Sequence, residues 1–186
     1  MAAVTLIDHD LTFVHIPKSA GSSVVRWMTR IPHHLIKGHP SLSMIKEQWS
    51  VNRSFAVVRN PWARMVSAYF YLKQYGFYWE DNNISSIDDF PSWNEFIDRL
   101  EYNTNSWNAL TTNQCEWIKG GVDYLFKAET LNQDFSVIQQ LINRDDPLPY
   151  INISEHNDYR TYYSDVQKAK IGQAFEQDID LYKYTF

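Results

Sequence analysis

The sequence predicts an α/β protein: one domain, 1–186, with a mostly parallel β-sheet flanked by helices. Three observations predict it. Short apolar runs at 11–16, 54–59 and 123–128 read as buried strands, rich in β-branched and aromatic residues. Helical stretches follow each of them, and strands alternating with helices favour a parallel sheet covered on both faces. At 186 residues the chain is large enough to bury one real core, and no internal repeat or second domain is visible.

In chain order, the strand at 11–16 stops at Pro17 and leads through small residues to a helix at 21–30. A short extended stretch at His34-Leu35-Ile36-Lys37 precedes a helix near 42–48. The strand at 54–59 is broken by Asn60-Pro61, and Pro61 suits the first turn of the helix read over 61–75. Residues 76–92 are turn-rich and read as a loop, followed by a helix from Ser92 to Glu101. Polar residues over 103–114 read as irregular. The strand at 123–128, a helix at 131–143, a linker with Pro147 and Pro149 and a final helix from about residue 165 complete the chain. Ser164-Asp165-Val166-Gln167 fits a capping box at that last helix.

The first strand–loop–helix unit, Phe13-Val14-His15-Ile16-Pro17-Lys18-Ser19-Ala20-Gly21-Ser22-Ser23, carries the chemistry. A helix N-terminus behind a small-residue loop aims backbone N–H groups and a dipole at an anion. Lys18 adds a mobile positive charge, and Ser22 and Ser23 add hydroxyl donors. The layout reads as phosphate-binding, but it is not a Walker A loop, because Lys18 precedes the only glycine of this stretch, Gly21. Nor is it G-x-G-x-x-G, which needs three glycines. An ordinary strand-to-helix turn with a surface lysine stays open on this stretch alone.

A second unit points the same way. Arg59 ends a strand beside a helix start, and Ser67 lies about two turns further on. An arginine there can hold a phosphate with a two-pronged hydrogen bond. A structural pair with a carboxylate is the other reading of Arg59.

Together, His15-Ile16-Pro17-Lys18-Ser19-Ala20-Gly21-Ser22-Ser23 and Val57-Val58-Arg59-Asn60-Pro61-Trp62-Ala63-Arg64-Met65-Val66-Ser67 resemble the two donor-binding motifs of the sulfotransferase family, in particular its carbohydrate O-sulfotransferase and 2-O-sulfotransferase-like branch. The resemblance implies that Lys18, Ser19, Ala20, Gly21, Ser22 and Ser23 cradle the 5′ end of 3′-phosphoadenosine-5′-phosphosulfate (PAPS). It implies that Arg59 and Ser67 bind the 3′-phosphate, with 3′,5′-adenosine bisphosphate as product. Gly38-His39-Pro40-Ser41 resembles the G-H-x-S segment that supplies a catalytic histidine in the 2-O branch, and Lys37 replaces a neighbouring histidine of that branch. Asp123 through Leu131, Asn152-Ile153-Ser154 and Tyr159 through Phe186 resemble the family's late strand, closing N-x-S segment and last helix. A P-loop-like, nucleotide-binding sulfotransferase fold is what the resemblance implies.

The implied reaction is sulfuryl transfer to a hydroxyl of an acceptor, carbohydrate by the branch resembled. By analogy with phosphoryl transfer, the acceptor attacks in line and charge builds on the oxygen of the departing phosphate. A positioned cation there stabilises the transition state more than the ground state, and Lys18 is the candidate. The hydroxyl must lose its proton, a duty suited to a histidine with an unperturbed pKa of about 6.5, and His39 is the candidate base. An acidic base is the alternative. A nucleotide kinase-like phosphotransferase and a non-catalytic nucleotide-binding module are the competing functions.

Composition sets further expectations. Seventeen basic against 22 acidic residues give a net charge of −5, with no basic stripe of the kind a nucleic-acid binder shows. The acceptor is therefore expected to be a neutral or lightly charged small molecule or glycan, without nucleic acid as partner. No apolar run approaches the ~20 residues of a membrane helix, and the N-terminus does not read as a signal peptide. A cytoplasmic enzyme of bacterial or viral origin, or a trimmed chain, is expected. Cys115 is the only cysteine, so no intrachain disulfide can form. Six histidines lack metal-ligand spacing, and no metal is expected. Tyr69, Phe70, Tyr71 and Tyr75 read as core, whereas Phe77, Tyr78 and Trp79 read equally as core or as sugar-stacking groups. Gln114 and Trp117 are candidates for the acceptor side, and His156 for either a nucleotide contact or a helix entry.

Overall fold

A computed structural model of the chain describes residues 2–75, 90–99, 108–151 and 156–186. Its backbone contacts group the chain into two compact units, Met1–Arg59 with Gln114–Ile153, and Asn60–Asn113 with Ser154–Phe186.

The first unit holds a five-stranded sheet: β1 (Ala2–Leu6), β2 (Leu11–Val14), β3 (His33–Lys37), β4 (Arg53–Val58) and β5 (Tyr124–Lys127). The strand order is β3-β1-β2-β4-β5. β2 pairs with β4 and β4 with β5 in parallel, while β1 is antiparallel to both β2 and β3. Only β1 therefore runs against the other four strands, which gives the α/β class and mostly parallel sheet expected. Helices of this unit are α1 (Gly21–Met28), α2 (Leu42–Gln48), α6 (Gln114–Trp117), α7 (Leu131–Asp134) and α8 (Ser136–Leu141).

Alternation along the strands sorts their side chains. Val4, Leu6, Leu11, Phe13, Phe55, Val57 and Phe126 form one apolar face. That face packs against Val24, Trp27 and Met28 of α1, Leu131 and Ile138 of α7 and α8, and Phe135 between them. The Trp27 and Phe135 rings meet edge to face, with centroids 4.9 Å apart. A clamp holds the α1 end of this core. The Arg144 guanidinium lies 4.2 Å over the Trp27 ring and pairs with Asp146, whose carbonyl accepts the Trp27 indole N–H at 2.8 Å.

The second unit contains α3 (Pro61–Tyr75), α4 (Trp93–Arg99), α5 (Asn108–Thr111), a 3₁₀ turn (Tyr159–Tyr162), α9 (Asp165–Ala174) and α10 (Glu176–Tyr182). Trp62, Met65, Tyr69 and Leu72 of α3 pack with Phe96, Ile97, Ile171 and Phe175. Asn60 starts α3: its Oδ1 accepts the N–H groups of Trp62 and Ala63 at 3.1 and 3.4 Å. Arg64 is fully buried and donates to the Ala109 and Thr112 carbonyls at the end of α5. Cations suit a helix C-terminus, where the last carbonyls lack partners.

Several expectations are corrected. Residues 2–6 carry no strand expectation, yet β1 is a buried inner strand, between β3 and β2. The helix expected at 131–143 is two pieces, α7 and α8, turning at the buried Phe135. The final helix is likewise two, α9 and α10, separated at the buried Phe175. The stretch 103–114, expected to be irregular, contains α5 and the start of α6. The capping box at Ser164 and Gln167 is present in full. Phe77, Tyr78 and Trp79, most of the 76–92 loop, Glu101 and the Asn152-Ile153-Ser154 segment lie outside the described residues.

Candidate active site

The loop after β2 is shaped by two residues in the left-handed region, Lys18 at φ 65° and Ala20 at φ 59°. Non-glycine residues adopt this region uncommonly, and it is a building block of anion-binding nests. Ala20 is the N-cap of α1 and has no side-chain oxygen to offer the first-turn amides.

Gly21 opens α1 for a steric reason. A Cβ at this position would lie 2.0 Å from Cδ2 and 2.1 Å from Nε2 of His15. The imidazole of His15, 1% exposed, therefore sits where any other residue at 21 would put its side chain. Burial first, and the neighbouring His39 second, hold the His15 ring at a pKa of about 3, so it is neutral at physiological pH. Its Nδ1 has no hydrogen-bond partner among the described residues.

His39 follows Gly38, whose φ of 87° favours glycine. Nδ1 of His39 lies 2.9 Å from the His15 carbonyl oxygen, and the two rings meet edge to face at 4.7 Å. A carbonyl can only accept, so in the neutral ring the proton sits on Nδ1 and the basic lone pair on Nε2. The indole N–H of the buried Trp117 donates to the His39 carbonyl at 3.2 Å and holds the backbone from the other side.

Lys18 and Arg59 are the cations of the site. Arg59 Nη1 donates to the Lys18 carbonyl at 3.3 Å. Burial, and then the charge of Arg59, lower the Lys18 ammonium from 10.5 to a pKa of about 7. Two cations this close repel each other, and a bound anion would relieve both. A polyanionic donor such as PAPS thus fits the residues present: two cations, a helix N-terminus and a left-handed loop.

Gln114, fully buried at the start of α6, ties these pieces together. Its Oε1 accepts from the Ser19 hydroxyl at 3.0 Å and the Arg59 N–H at 2.8 Å. Its Nε2 donates to the Arg59 carbonyl at 2.8 Å. The sequence alone marks Gln114 only as an acceptor-side candidate. Its partners, 55 and 95 residues away, are two backbone groups and a hydroxyl, which leave no local pattern.

Lys18, Ser19, Ala20, Gly21, Ser22, Ser23, His39 and Arg59 all fall within the first unit, whereas Ser67, buried on α3, belongs to the second. His156 is also in the second unit, stacked on Phe70 with ring centroids 5.4 Å apart. Tyr69 is buried core, and Phe70 and Tyr71 pack against that core. Among the described residues no helix is long and apolar enough to cross a membrane.

No curated protein matches the chain. A family model described as "Sulfotransferase family" matches residues 3–185, nearly the whole length and both units, and the chain belongs to the sulfotransferase family.

Proposed function

We propose that this sulfotransferase moves the sulfuryl group of PAPS to a hydroxyl of a carbohydrate acceptor, with His39 as general base and Lys18 as the cation at the leaving oxygen. One observation carries the reading: the hydrogen bond between His39 Nδ1 and the His15 carbonyl. It assigns the basic lone pair of the neutral ring to Nε2, the form a base needs to take a hydroxyl proton.

Lys18 supports the other half. With a pKa of about 7 it is partly protonated at neutral pH, and a neighbouring anion raises that fraction. Its ammonium then opposes the charge that builds on the leaving phosphate oxygen. Arg59 offers the guanidinium for the 3′-phosphate, and Ser19 through Ser23 the loop for the 5′ end. Ser67 is assigned to the 3′-phosphate by its motif position alone. A net charge of −5 favours a neutral or lightly charged acceptor.

The test is ligand-induced stabilisation, because a ligand that binds only the folded state raises the melting temperature. The expected result is a rise with 3′,5′-adenosine bisphosphate and little change with ATP and magnesium. Stabilisation by ATP with magnesium alone would replace the reading with a kinase-like one.

A further inference from the structure

We infer that Gln114 is a positioning residue that couples the two anion-binding segments of the site, so that the Lys18–Ser23 loop and Arg59 act as one receptor. The inference rests on the proposed reading that these segments take the two ends of one nucleotide.

The geometry is specific. One carboxamide oxygen serves two donors, the Ser19 hydroxyl and the Arg59 N–H, and the carboxamide nitrogen serves the Arg59 carbonyl. Arg59 is therefore gripped at both its backbone groups, at 2.8 Å each. Its guanidinium in turn reaches the Lys18 carbonyl. The circuit Lys18–Ser19–Gln114–Arg59–Lys18 closes on itself through hydrogen bonds and one peptide link. Ser19 is 1% exposed and its hydroxyl is spent on Gln114, so the loop is braced from beneath at the residue between its two left-handed positions.

A carboxamide is needed for this. A carboxylate could accept the two donors but could not donate to the Arg59 carbonyl, and an apolar side chain would remove all three hydrogen bonds. Displacing Gln114 then misplaces both segments, because each is referenced to the same side chain. Ligand ends that bind to a common, pre-set frame gain affinity together, since neither has to order its own segment.

The experiment compares wild type with Gln114→Met, of similar volume and no hydrogen bonds, using adenosine 5′-monophosphate, adenosine 3′-monophosphate and 3′,5′-adenosine bisphosphate as calorimetric probes. Circular dichroism and the melting temperature establish that the variant is folded. The expected result is roughly tenfold weaker binding of each monophosphate and a larger loss, roughly a hundredfold, for the bisphosphate. Unchanged affinities at a lowered melting temperature would reduce Gln114 to a structural role. Loss at one end only would refute the coupling.

Should Gln114→Met not fold, Ser19→Ala cuts the loop from the brace and leaves the Arg59 grip in place. The 5′-monophosphate should then weaken several-fold while the 3′-monophosphate does not, and an unchanged 5′-monophosphate affinity overturns the inference. Inorganic sulfate separates this inference from the nucleotide reading. If wild type binds no adenosine phosphate, the nucleotide reading fails. Stabilisation by sulfate that Gln114→Met abolishes still supports the brace, and sulfate stabilisation retained, or absent from wild type, overturns it.

Discussion

The carbonyl oxygen of His15 lies 2.9 Å from Nδ1 of His39 and decides which nitrogen of the neutral ring is basic. His39→Ala should therefore lower the transfer rate by about 10²- to 10⁴-fold, the usual size of a general-base contribution, while 3′,5′-adenosine bisphosphate binds as before. Single-turnover rates and calorimetry read the two separately. A variant that transfers at the wild-type rate would remove His39 from the mechanism.

Lys18 should make bisphosphate binding pH-dependent. Its pKa is lowered to about 7 in the free protein by burial and by Arg59, and an anion prefers the ammonium. As pH rises through 7 the free protein loses this proton, so affinity for the bisphosphate should fall by up to about tenfold per pH unit between pH 7 and 9. Binding at pH 8 should take up a proton, visible as a dependence of calorimetric enthalpy on the buffer's ionisation enthalpy. Lys18→Met should abolish that uptake and slow turnover.

His15 makes stability pH-dependent in the acid range. The unfolded chain protonates this residue near its ordinary 6.5, whereas the fold resists until about 3. The unfolded state therefore binds more protons across that window. The contribution is complete above pH 6.5 and is lost as pH falls toward 3, up to roughly 5 kcal/mol. Urea midpoints at pH 7 and pH 4.5 should differ more for wild type than for His15→Asn.

Gly21→Ala should disorder the loop, because the added methyl would lie about 2 Å from the His15 ring. The expected loss is about 1–3 kcal/mol, the range for overpacking a core. Trimming the ring should relieve it, so the double variant His15→Ala with Gly21→Ala should lose less than the two single losses summed. Strict additivity in chemical denaturation would contradict the steric account.

Arg64 is a stability residue. It satisfies the Ala109 and Thr112 carbonyls and lies 5.8 Å from the Phe175 ring centroid; burial lowers its pKa to about 10, the charge of the buried Asp178 works the other way, and the guanidinium stays charged at neutral pH. Arg64→Met removes those hydrogen bonds and the charge facing Asp178 and should cost about 3–5 kcal/mol, the usual penalty for removing one partner of a buried charge interaction. The melting temperature reads it directly.

Much of this was readable in the sequence. The strands at 11–14, 53–58 and 124–127 announce themselves as apolar runs, and the Lys18 loop and Arg59 are local in sequence. β1 escaped because Ala2–Leu6 opens on two alanines, a residue depleted in strands, although Asp8-His9-Asp10 marks the hairpin turn that returns it to β2. The breaks at Phe135 and Phe175 carry no proline or glycine; at each, a bulky ring is buried where the helix turns. Gln114 and the His15 seat were invisible for another reason: their partners are brought together by the fold, and glutamine and histidine have no pattern that says so.

The central claim is PAPS-dependent sulfuryl transfer by Lys18 and His39. Its most direct measurement is transfer of label from radiolabelled PAPS to a panel of neutral and lightly charged glycans, run side by side with wild type, Lys18→Ala and His39→Ala. The account predicts labelled glycan with wild type and little or none with either variant. Equal labelling by all three, or no labelled hydroxyl product from wild type, would contradict it.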